Sequence, residues 1–76
     1  MYIISIRVSK RRLEVPELQH ILTEYGKNIY ARLGLHNQET DEKNGIIIIA
    51  YNSENVEEFV EDLNSIKDIT ANYMQA

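Results

Sequence analysis

The chain has no cysteine and no tryptophan, one proline and three glycines in 76 residues. Without cysteine there can be no disulfide, thiolate zinc site, iron–sulfur ligation or thiol nucleophile. With so few glycines no phosphate-cradling loop can be assembled, since Gly26, Gly34 and Gly45 stand far apart. No apolar run approaches the ~20 residues that span a bilayer, and the N-terminus reads as a strand rather than a signal peptide. The expected setting is therefore cytoplasmic, with no membrane partner. A chain this short buries only about 60% of the surface its unfolded form exposes. One domain over residues 1–76 is the ceiling, and with disulfides excluded, oligomerisation is the help that remains.

Basic charge is also scarce. The net charge is −4, which argues against a free-standing nucleic-acid binder because phosphate neutralisation is the main source of sequence-independent affinity. The distribution is uneven: residues 1–38 sum to +3 and residues 39–76 to −7. Such a chain can associate head to tail or attract an anion to one end.

What is present in quantity is isoleucine. Gly45-Ile46-Ile47-Ile48-Ile49-Ala50-Tyr51 places β-branched side chains on both faces of an extended segment, and a strand with two apolar faces must be covered on both. Around it the chain alternates two periods. Tyr2 to Val8 sets Ile4, Ile6 and Val8 against Ile3, Ser5 and Arg7, a first strand. Leu18, Ile21, Leu22 and Tyr25 fall at i, i+3, i+4 and i+7 after Pro16, predicting a helix over about 13–25 that ends at a left-handed Gly26.

Asn28 to Leu35 alternates again as a second strand, with Ile29, Ala31, Leu33 and Leu35 opposite Tyr30, Arg32, Gly34 and His36. Asn44-Gly45 predicts a hairpin turn into the isoleucine strand. Asn52-Ser53 offers capping oxygens for a second helix striped by Val56, Phe59, Val60 and Leu63 and running to about Asn64. Ile69, Ala71 and Tyr73 mark a last strand.

The order β-α-β-β-α-β predicts an α+β, ferredoxin-like sandwich. It has a four-stranded antiparallel sheet with both helices on one face, strands 1 and 3 central, and strands 2 and 4 at the edges. The central pair is expected to run parallel. The helix-free face is expected to carry Ile3, Ser5, Tyr30, Arg32, Ile47 and Ile49 and to form a subunit interface of a dimer or tetramer. Tyr2, Tyr51 and Tyr73 are expected either to floor a pocket with Tyr30 and Arg32 or to line that seam.

Little in the sequence points to catalysis. His20 and His36 have no spaced carboxylate or cysteine partner for a metal. Ser5, Ser9, Ser53 and Ser65 have no histidine at a recognisable spacing, and the helix 2 carboxylates form a water-facing side. No metal, cofactor or catalytic residue is assigned. The most suggestive feature is the basic turn Ser9-Lys10-Arg11-Arg12, whose charges lie before a helix start and can hold a carboxylate or phosphate. With Arg32 these residues form the candidate ligand site.

Asn28-Ile29-Tyr30-Ala31-Arg32-Leu33-Gly34-Leu35, the acidic loop after it, Gly45-Ile46-Ile47-Ile48-Ile49 and helix 2 together resemble the small iron-only hydrogenase system regulators. The likeness runs from Tyr2 to Met74, and its most telling local match is Ile29-x-x-Arg32-x-Gly34 after a helix ending in Tyr25. The family is similar in fold to ACT domains and to the regulatory domain of the nickel-responsive repressor. What the resemblance implies is an ACT-like, oligomeric, ligand-sensing regulator of an [FeFe]-hydrogenase system, with a role in transcriptional regulation.

Two departures limit that inheritance. Ser9-Lys10-Arg11-Arg12 replaces the Asp-x-Pro-Gly type turn of many ACT domains, and the histidine and cysteine set of the nickel-binding relatives is missing. No DNA-binding segment precedes strand 1, so a transcriptional role implies a partner or a very unusual surface. The alternatives are a small enzyme of the dimeric ferredoxin-like-barrel type, for which His36 would be the candidate acid–base group, and a purely structural protein-interaction subunit.

Overall fold

The computed structural model describes residues 1–9, 16–36 and 45–76. Their order is β1 (Tyr2–Val8), α1 (Pro16–Glu24), β2 (Ile29–His36), β3 (Gly45–Tyr51), α2 (Val56–Asn64) and β4 (Ile69–Gln75). The sheet runs β2-β3-β1-β4, every neighbouring pair is antiparallel, and the arrangement is the ferredoxin-like, ACT-like α+β fold. The expectation of a parallel central pair is corrected: β1 and β3 are antiparallel. The reason is topological, because a crossover through α1 sends β2 the same way as β1 and the following hairpin must then reverse β3.

The core lies between sheet and helices. Ile4, Ile6 and Val8 of β1, Ile47, Ile49 and Tyr51 of β3, and Ile69 and Ala71 of β4 meet Leu18 and Leu22 of α1 and Val56, Phe59, Val60 and Leu63 of α2. Each helix buries the stripe its 3.6-residue period lays down. At the centre Phe59 stacks on Tyr25, ring centroids 4.4 Å apart, and tilts against Tyr51 at 4.8 Å. The two phenols reach out of this cluster to polar partners, Tyr25 donating to Asp62 Oδ2 at 2.6 Å and Tyr51 to Asn55 Oδ1 at 2.5 Å.

Three local expectations are revised. Gly26 is not left-handed; α1 tightens instead into a 3₁₀ turn over Gly26–Asn28, with Asn28 N–H donating to Tyr25 C=O at 3.2 Å. Helix α2 is capped at Asn55 rather than Asn52-Ser53, and the Asn55 side chain takes the Tyr51 hydroxyl instead of a helix N–H. The left-handed residue is Asp68 (φ 67°) in the turn before β4, a residue type that tolerates the conformation. The Asn44-Gly45 turn expected before β3 lies outside the described residues.

Candidate functional site

Which side chains face away from the helices follows from register. Residues paired across a sheet share a face, so Leu33 opposite Ile48, Leu35 opposite Ile46 and Ala31 opposite Ala50 stand together with Ile3 and Ser5 of β1 and Asn72 and Met74 of β4. Leu33 is 57% exposed, Leu35 47%, Ile46 42% and Met74 63%. Leu33, Leu35 and Ile46 form an apolar surface with half-buried Ile48, bordered by Ser5 and Arg7 of β1, while Met74 lies on β4 beside half-buried Ile3. A sheet face this apolar is unusual on a small monomer.

Part of the anticipated face is therefore reassigned. Ile3 and Ser5 keep their places, and Tyr30 is exposed at the irregularity in β2. Ile47 and Ile49 do not: they are buried against the helices, and Ile46 and Ile48 take the open side. Four consecutive isoleucines make both faces look alike, so alternation alone could not choose. Arg32 is also corrected, since it pairs with Ile49 and so belongs to the helix side of the sheet.

A bulge between Ile29 and Ala31 is the physical cause. One extra residue lets Ile29 face the core while Ala31, Leu33 and Leu35 turn the other way. Tyr51 is wholly buried, and Tyr2 and Tyr73 meet edge to face at 5.9 Å, so the tyrosines do not gather with Tyr30 into one pocket on the open face.

The anticipated ligand residues are not gathered into one site by the described structure. Ser9 follows β1, half-buried, its N–H donating to Asp68 C=O at 2.9 Å. Arg32 is exposed on β2, two strands and several residues along from Ser9. Lys10, Arg11 and Arg12 lie outside the described residues, as does the side chain of His36.

Sequence reasoning missed an open groove of about 570 Å³ lined by Pro16, Glu17, His20, Ile21, Ser65, Ile66 and Lys67. Ile21 and Ile66 are the apolar part of its lining, and Lys67 and Glu17 bring charge of either sign. The groove joins the start of α1 to the turn leaving α2, adjacent in sequence to the basic segment. Its residues come from two stretches of the chain, 16–21 and 65–67, a proximity no local pattern encodes. A shallower depression of about 160 Å³ sits on the open face, lined by Ile3, Ser5, Asn72, Tyr73 and Met74.

Among the described residues no three histidines, cysteines or carboxylates are grouped so as to hold a metal, and no helix is long and apolar enough to cross a membrane. Tyr25 has its pKa raised, first by burial and then by the Asp62 carboxylate that accepts its hydrogen bond. The arrangement as a whole offers an apolar sheet surface and a mixed groove.

Comparison with known proteins agrees with this geometry. The structure of the uncharacterized protein TM1266 from Thermotoga maritima superposes with a TM-score of 0.79 at 20% identity, over 96% of this chain and 91% of that one. A formyltetrahydrofolate deformylase from Pseudomonas putida KT2440 superposes with a TM-score of 0.63 at 8% identity. There the match takes in 99% of this chain and only 28% of the other, so the likeness is to one part of a larger protein. At these identities the two structures speak for the fold alone. No curated protein matches the sequence. A family model does, over residues 1–73, the TM1266-like model described as "Iron-only hydrogenase system regulator, putative". The chain belongs to this TM1266-like family of iron-only hydrogenase system regulators.

Proposed function

We propose that the chain is a non-enzymatic regulatory module of an iron-only hydrogenase system that works as a homo-oligomer, its subunits meeting through the open sheet face. The observation that carries this reading is the apolar surface of Leu33, Leu35, Ile46, Ile48, Ile3 and Met74, too extensive to be left to water. Family membership supports the regulatory role.

An effector with a small apolar body and a charged end suits the groove between Pro16 and Lys67. Regulation then follows if the effector has different affinity for two assembly states, since a ligand shifts an equilibrium only by that difference.

Sedimentation velocity at micromolar concentration tests the assembly. The native chain should sediment as a dimer or larger species, and Ile48→Lys, a charge at the centre of the open face, should shift it to monomer with an unchanged far-UV spectrum. A native chain that sediments as a compact monomer would reject the reading.

A further inference from the structure

The open sheet face is apolar on β2 and β3, and its polar side chains are gathered on β1 and β4. The four strands contain no aspartate or glutamate, although the chain has twelve acidic residues and a net charge of −4. Arginines stand on two of the strands, Arg7 on β1 and Arg32 on β2. Arg32 belongs to the helix side, so among the described residues Arg7 carries the one full charge on the strands of the open face.

Register gives Arg7 its neighbours. It stands opposite Ile46 of β3 and Thr70 of β4, and two residues back along β1 Ser5 stands opposite Ile48 and Asn72. Side chains paired across strands have Cβ atoms about 5 Å apart, and successive rows on one face follow at about 7 Å. An arginine side chain spans that distance, so its guanidinium can reach over the Ser5 and Asn72 row. Arg7, Thr70 and Asn72 are exposed and Ser5 is half-buried. All four side chains carry hydrogen-bond donors, and none of them has a side-chain hydrogen bond or ion pair among the described residues.

Beyond this group the surface turns apolar in one direction. Ser5 and Asn72 line one end of the depression of about 160 Å³, and Ile3 and Met74, the next row, line the other. Donors at one end and apolar side chains at the other suit a molecule with an anionic head and a hydrocarbon body.

We propose that this part of the sheet binds a small carboxylate with an apolar chain, of the short fatty acid class. Its head is seated among Arg7, Ser5 and Asn72, and its chain lies in the depression beside Ile3 and Met74. A guanidinium matches the two oxygens of a carboxylate in a bidentate pair, and its one positive charge balances the one negative charge. A phosphate dianion would be left half-neutralised on a surface whose other walls are apolar, so a carboxylate is favoured. The site goes beyond the regulatory reading above and is separate from the groove beside α1. It does not require the subunit contact, whose apolar centre is on β2 and β3.

Octanoate is the probe, titrated into the native chain by isothermal calorimetry. Binding should saturate at one molecule per chain, and Arg7→Gln should weaken it about tenfold or more, the loss expected for a charged hydrogen-bonded pair. Asn72→Leu should weaken it by a smaller factor, and Lys67→Gln, in the groove, should leave it unchanged. Acetate lacks the chain and 1-octanol lacks the charge, so each should bind about tenfold more weakly than octanoate.

Far-UV spectra and sedimentation of Arg7→Gln should match the native chain, which keeps loss of binding apart from loss of fold or of assembly. Absence of octanoate binding, equal binding by a folded Arg7→Gln, or 1-octanol binding as tightly as octanoate would overturn the site. Binding lost through Lys67→Gln and kept in Arg7→Gln would overturn it too, in favour of the groove. A native chain that sediments as a monomer yet binds octanoate through Arg7 would support this site while rejecting the oligomeric reading.

Discussion

Tyr25 joins two kinds of interaction in one side chain. Its ring stacks on Phe59, and its hydroxyl donates to a carboxylate of α2. Removing that hydroxyl leaves Asp62, which is half-exposed, to be solvated instead, so Tyr25→Phe should cost about 1 kcal/mol by chemical denaturation.

The raised pKa gives the same residue a pH signature. A phenol whose folded pKa lies above its ordinary value of 10.0 holds its proton in the folded state after the unfolded chain has begun to lose it. Stability from this group is thus complete below pH 10 and falls as pH rises beyond it toward the folded value. Thermal unfolding at pH 7 and at about pH 11 should show the native chain losing more on going alkaline than Tyr25→Phe does. Phe59 is wholly buried between two tyrosine rings, and Phe59→Ala should cost about 3–5 kcal/mol, enough to unfold a domain of this size.

At the scale of the element, the edge strands differ in how they are finished. Strand β4 leans on Asn64, whose amide stands in for a neighbouring strand at Ala71. Ala71 is only 3% exposed, so loss of that amide leaves two poorly hydrated backbone groups without partners. Asn64→Ala should destabilise by about 2 kcal/mol in urea and, by opening the second edge, raise the tendency to form higher oligomers in light scattering. Asn64→Asp should not rescue, because a carboxylate only accepts and would face the Ala71 carbonyl.

The edge strand β2 was the hardest element to read from sequence. Its existence was plain from alternation, yet Leu33 and Leu35 face away from the helices and Arg32 toward them, the reverse of the simple pattern, because the bulge inserts one residue after Ile29. Bulges of this kind have no sequence signal that this segment carries.

For the whole molecule the decisive quantity is the apolar area left on the helix-free side. If a second copy covers it, folding and association are linked, and the unfolding temperature should rise with protein concentration. Scanning calorimetry between about 1 and 100 µM should show that rise for the native chain and not for Ile48→Lys.

The sequence by itself determined the elements and their order. Periods of two and of 3.6 are local properties, and strands Tyr2–Val8 and Gly45–Tyr51 and the stripes on both helices follow from them directly. It also determined that some sheet face would be apolar, since four adjacent isoleucines leave no polar side. Only the tertiary structure decided which isoleucines those are, how β2 is turned, and where a groove opens between α1 and the end of α2. Each of those depends on register and on residues far apart in the chain, and in β2 a single extra residue exchanges the two faces, so no local pattern could have held the answer.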